Sequence, residues 1–132
     1  IFKDVPAPDM DYMAYWVAKL RIAHPNLKIK VALIKERTND LHMLLEAGAN
    51  GFSRFMCFKD FAQEQAITIE KESKKANRTL LGNFTTLPNI NIEEEVHNLP
   101  FTEELKAKIL PKAEQYYLKL KKLVQKQNSQ NL

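Results

Sequence analysis

The chain of 132 residues predicts an α/β fold with parallel strands, and three observations carry that reading. Residues 28–58, KIKVALIKERTNDLHMLLEAGANGFSRFMCF, read as strand, loop, short helix, glycine stop and second strand, which is one β-α-β crossover. The apolar run Ile29, Val31, Ala32, Leu33, Ile34 loses clean alternation in its second half, as a parallel strand covered on both faces does. A helical connection between strands of one sheet leaves them parallel. Asn39 or Asp40 is placed to cap the helix, which carries Leu41, Leu44 and Leu45 on one face, and Gly48 supplies the left-handed residue that ends it. Phe52 to Phe58 is the expected second strand.

Taken in order, the chain begins with a loop from Lys3 to Pro8, in which Pro6 and Pro8 enforce extended backbone. A helix capped by Asp9 or Asp11 follows. Met13, Trp16, Val17 and Leu20 recur on it at helical spacing as core residues, and His24-Pro25-Asn26 stops it. After the crossover, Asp60 is the expected cap of a helix with a small-residue stripe, Ala62, Ala66, Ile69 and Ser73, suited to lying close on a sheet. Its outer face would be Glu70, Lys71, Glu72, Lys74 and Lys75. Thr79 to Phe84 has the composition of a third strand, weakened by Gly82. Residues 85–91 read as a polar loop and Ile92 to Asn98 as a turn of helix with an acidic run. Thr102 caps a last helix that Pro111 interrupts or restarts, with Leu105, Ile109, Tyr116, Leu120, Leu123 and Val124 as its apolar face, and residues from Gln125 on read as frayed.

Composition narrows the function classes. The length and the 45% hydrophobic content allow one modest core, so 1–85 and a helical extension, 86–132, are read as one structural unit. No apolar run reaches the roughly 20 residues of a spanning helix, so no membrane association is expected. The chain opens on Ile1 without a signal pattern, which reads as an excerpt or a processed product. The net charge of +4 is local: residues 102–126 hold seven Lys and three Glu, and the remaining thirteen basic and thirteen acidic residues cancel. Lys106, Lys108, Lys112, Lys119, Lys121 and Lys122 therefore read as a solvated helix face without an aromatic stacking platform, and no nucleic-acid partner is expected. Cys57 is the single cysteine, which excludes an intrachain disulfide and fits a reducing cytoplasm.

In parallel α/β architectures, ligands meet the carboxyl ends of the strands. That rule selects Asp4 to Asp9, then Lys35, Glu36 and Arg37 after the first strand, and Met56 to Lys59 after the second. The bland alternative for Lys35-Glu36-Arg37 is a solvated loop, and for Cys57 an inert core thiol with no His nearby. His24, His42 and His97 lack metal-ligand spacing, so no metal site is expected, and the three isolated glycines form no phosphate loop.

Residues 18–22 (AKLRI) before Pro25, the strand at Ile29 to Ile34 and LLEAGANGFSRF from Leu44 to Phe55 together resemble the last part of the barrel of radical S-adenosylmethionine enzymes, in the biotin-synthase-like branch. The AGAN at Ala47 to Asn50 is the sharpest piece, being similar to that family's junction from helix end to last strand. FAQEQAITIEKE from Phe61 and LLGNFT from Leu80 also look like this branch. The resemblance implies the C-terminal part of a (β/α) TIM-type barrel followed by a helical extension. It also implies a parent enzyme in which an iron-sulfur cluster reductively cleaves S-adenosylmethionine to start radical chemistry on a small-molecule substrate. In that setting Ala32, Leu33 and Ile34 would pack near the cofactor's adenine, and Lys35, Glu36 and Arg37 would meet substrate or the cofactor's polar ends. An arginine after the penultimate strand ligates an auxiliary cluster in biotin synthase; Arg37 shares its place, not its role, because the small lead-in residues are here Leu33 to Glu36.

The family's three-cysteine cluster motif matches nothing in this chain, and archaeal members favour proline where Met56 stands. The isolated chain is therefore expected to hold no cofactor, and its catalytic residues stay unassigned. A second resemblance, PDMDY from Pro8 with LRIAHPNLKI and EAGANGF, is to the back half of a response-regulator receiver, which would make the chain a noncatalytic signalling module. Register opposes it, since Arg54-Phe55 stands where receivers carry a Lys-Pro pair. A sheet edge missing its neighbour would invite self-association through that edge or through the apolar faces of the first and last helices, so a homo-oligomer is expected, the alternative being that the helix from Thr102 to Lys126 folds back over the sheet and keeps the chain monomeric.

Overall fold

The structure is a computed structural model that describes residues 7–33 and 35–130, with the backbone alone at 35, 36 and 130. The described residues fall into two bodies. One holds those up to Phe55 together with Ile67–Gly82, and the other holds Met56–Ala66 together with those from Asn83 on.

In the first body, helix α1 (Met10–Ala23) starts where the Asp9 carboxylate accepts the Tyr12 N–H at 2.8 Å and ends where the His24 N–H returns to the Leu20 carbonyl. Strand β1 (Lys30–Ala32) leads through a 3-10 helix (Lys35–Asp40) into helix α2 (Leu41–Glu46), and strand β2 (Gly51–Ser53) follows. The strands are adjacent and parallel, with Lys30 opposite Gly51, Val31 opposite Phe52 and Ala32 opposite Ser53. The crossover expected from Lys28 to Phe58 is therefore present, with shorter strands. Gly48 ends α2 at φ +111°, and a Cβ there would lie 2.7 Å from Arg21 Cγ. Arg21 uses this closeness: Nε and Nη2 donate to the Gly48 carbonyl at 3.1 and 2.8 Å, and Nη1 donates to the Pro25 carbonyl. Asn50 Oδ1 accepts the Ile29 N–H at 2.8 Å, so the AGAN segment ties the end of α1 and the start of β1 to the entry of β2.

Helix α4 (Glu64–Lys75) enters this body at Ile67. Ala66, Ile69 and Ser73 of the expected stripe are buried on α4, but Asp60 closes the short helix Cys57–Asp60 instead of capping α4, Ala62 is buried before the helix begins at φ +56°, and Glu72, placed on the outer face by the sequence reading, is buried too. Ser73 Oγ is buried with no hydrogen-bond partner among the described residues. A buried hydroxyl without a partner costs about 1–3 kcal/mol. Ser73→Ala is therefore expected to raise stability by roughly 1 kcal/mol, read as a higher denaturant midpoint at unchanged slope; a lower midpoint would contradict the placement.

The second body contains the short α3 (Cys57–Asp60), α5 (Ile92–His97) capped by Asn91, and the long α6 (Glu103–Gln130). Phe58 stacks on Tyr116 at 4.6 Å, Tyr117 Oη donates to the Pro88 carbonyl at 3.0 Å, and Gln63 Nε2 donates to the Leu123 carbonyl at 3.3 Å. Thr102 Oγ1 accepts the Leu105 N–H at 3.4 Å. Glu103 lies in the positive first turn, and a hydrogen bond from Lys106 Nζ at 2.8 Å holds its carboxyl below the usual range.

Several expectations are corrected here. The chain is not the end of a (β/α) TIM-type barrel: among the described residues the sheet has two strands, β1 and β2, and most residues are helical. A barrel closes a many-stranded sheet on itself, and three-residue strands with a single partner each do not form one. The expected third strand, Thr79 to Phe84, is irregular. The second strand stops at Ser53, because Arg54 turns the backbone to φ +70° and Cys57 already opens α3. Buried Ile29, Val31 and Leu33 alternate with exposed Lys30 and Ala32, so β1 is covered on one face rather than two. Trp16, read as core, is 47% exposed, and Leu20 is exposed with it. Pro111 does not break α6, which runs through it to Gln130. The long helix carries the loss of one backbone donor.

Candidate functional site

Parallel pairing brings the carboxyl ends of β1 and β2 together, and the exits from both strands are where the backbone departs from regular structure. After β1 the chain coils into the 3-10 helix from Lys35. After β2 it passes through Arg54 in the left-handed region, a conformation that non-glycine residues adopt at a cost and that clusters at functional sites. The Leu33 N–H donates to the Ser53 carbonyl at 3.1 Å, extending the ladder to this edge.

The expected site residues distribute along it. Ala32 is exposed at the end of β1, and Leu33 is buried. Ile34 lies outside the described residues. Lys35 and Glu36 begin the 3-10 helix, and Arg37, half-buried, follows on it. Arg37 Nη1 donates to Met13 Sδ at 3.1 Å. A thioether is a weak acceptor and carries no charge. No carboxylate pairs with Arg37 among the described residues, although a guanidinium is always cationic and matches a planar anion with two parallel hydrogen bonds. The edge thus offers a positioned cation to a negatively charged ligand. The exposed Cys57 stands four residues beyond β2 rather than on a strand, and among the described residues no three His, Cys, Asp or Glu side chains assemble as a metal site.

A second polar cluster went unread in the sequence. Asp40 occupies the cap position of α2 but makes no side-chain capping bond. Glu72 of α4 does this work instead, accepting the His42 N–H at 3.4 Å and meeting His42 Nδ1 in a short contact, while Lys75 Nζ lies 3.2 Å from the same nitrogen. The 30-residue separation hides the pair. Helical spacing offers one clue, since Ile69 and Glu72 are three residues apart and share a face.

Among the described residues no helix is long and apolar enough to cross a membrane. No family model matches the chain, and no solved structure matches it. It is similar to a protein of Methanocaldococcus jannaschii known only as uncharacterised, with 29% identity over 135 residues that cover 91% of this chain. The chain spans 38% of the length of that archaeal relative, so the similarity lies within a longer protein.

Proposed function

We propose that the chain is a segment of a larger radical S-adenosylmethionine protein of the biotin-synthase-like kind, and that the carboxyl edge of β1 and β2 faces its cofactor and small-molecule substrate. One observation carries the reading: Arg37 is half-buried at the exit of a parallel strand with a thioether, and no carboxylate, as its partner among the described residues. A ligand that docks there brings the negative charge, as the carboxylate of S-adenosylmethionine or of an acidic substrate does. The residue-level resemblance from Ala18 to Phe55 supports the same assignment, and a relative well over twice as long supports a larger parent protein. In this reading Ala32, Leu33 and Ile34 lie beside the cofactor, while Lys35, Glu36 and Arg37 meet polar groups of cofactor or substrate.

The donor set of this chain does not fit an iron-sulfur cluster, which needs several thiolates where Cys57 is the single cysteine. The cluster belongs to another part of the longer protein, and this segment's work is to bind, orient and exclude water. The lone thiol fits a cytoplasmic setting. Anaerobic production of the complete reading frame, followed by iron and sulfide analysis, tests the assignment. About four iron and four sulfide per chain are expected for a four-iron cluster, with none on the 132-residue segment. A complete protein that carries neither after anaerobic reconstitution overturns the proposal.

A further inference from the structure

The contacts of His42 contain a conflict. Its Nδ1 faces Glu72 Oε2, an acceptor, and lies 3.2 Å from Lys75 Nζ, a donor. One ring nitrogen cannot serve both: it donates to Glu72 only when it carries a proton and accepts from Lys75 only when it is bare. The side chains are shielded, with 16% of His42 and 7% of Glu72 exposed, so water replaces a lost partner poorly.

We propose that His42, Glu72 and Lys75 form a proton latch between α2 and α4. In the closed form the Nδ1 proton is donated to Glu72, whose same oxygen also receives the His42 backbone N–H and so caps α2 from outside its own sequence. In the open form the proton sits on Nε2, having left Nδ1 to solvent water and returned from it, and Nδ1 accepts from Lys75. Only N–H bonds break and form. Uptake of a second proton by the ring occupies both nitrogens and removes the open form, so acid closes the latch. Glu72 and Lys75 face the ring from α4. Asp40 precedes it, Glu46 follows one turn on along α2, and Arg78, after α4, is committed to the Leu45 carbonyl. The closed latch holds the first turn of α2, which continues directly from the 3-10 helix that bears Arg37. The inference stands on this geometry and does not depend on the ligand proposed for the edge.

The test uses the full chain and two variants, Glu72→Leu and Lys75→Met. Long-range nitrogen-proton NMR of His42 reads which ring nitrogen carries the proton, and amide exchange of residues 41–45, corrected for intrinsic rate, reads the latch. The wild type is expected to show both neutral ring forms and a severalfold gain in protection on acidification. Lys75→Met should carry the proton on Nδ1 throughout and show high protection with little pH dependence. Glu72→Leu, which removes the acceptor, should lose the gain while the Leu33 amide stays protected, which separates a lost latch from a lost fold. A wild type with the neutral ring protonated on Nε2 alone, or a Lys75→Met variant with the wild-type ring populations, overturns the proposal.

Discussion

Ile69→Ala is expected to destabilise the protein by about 3 kcal/mol, within the range of buried isoleucine truncations. Ile69 is fully buried on α4. Removing three carbons loses their transfer energy and leaves a cavity that packed helices fill only partly. Ile67 supplies the control: it lies two residues away on the same helix and is 40% exposed, so Ile67→Ala should cost under about 1 kcal/mol. Denaturant midpoints measured at constant slope decide the matter, and equal losses would contradict the assigned face of α4.

Glu72→Ala is expected to cost roughly 2–3 kcal/mol, the scale of one hydrogen bond to a charged group plus a lost helix cap. The carboxylate is the tertiary cap of α2 and the partner of His42, and Asp40 makes no capping bond to replace it. Lys71→Ala, an exposed change on the same helix, should stay within about 0.5 kcal/mol. In a double-mutant cycle with His42→Ala the pair should couple by about 1 kcal/mol or more. Additive losses would show that the two residues act independently.

These two residues mark what the sequence makes legible. Ile69 was readable because its spacing from Ala66 and Ser73 follows one helical face, and local period is set by backbone geometry. Glu72 was misplaced for the complementary reason: a charged residue in a run of charges reads as solvated, and its partner lies thirty positions away. The crossover was legible down to the left-handed Gly48, since caps, stops and apolar faces are local signals. The expected barrel was wrong, because the number of strands in a sheet depends on pairing that no local pattern encodes. Thr79 to Phe84 had strand-like composition but is irregular, and Leu81 within it is fully exposed. Trp16 misled in the same way, since helical spacing places it on the Met13 and Leu20 side while its neighbours are Tyr12, Tyr15 and Lys19 at an exposed surface.

At the candidate site, Lys35, Glu36 and Arg37 follow β1 on the 3-10 helix, and the rule that ligands meet strand carboxyl ends is what singles them out. What the sequence did not show is that Arg37 reaches Met13 across 24 residues, nor that Arg54 leaves β2 in a strained conformation. Both features depend on how α1 and the two strands are packed, which fixes them only after folding.

The most direct measurement is calorimetric titration of the complete protein with S-adenosylmethionine, comparing wild type with Arg37→Ala. Loss of one charge-assisted hydrogen-bonding group should weaken binding by about tenfold or more, with circular dichroism and the thermal midpoint nearly unchanged. Saturable binding by the wild type and that selective loss in the variant are the predicted result; binding that is absent, or identical in the two proteins, would contradict the account.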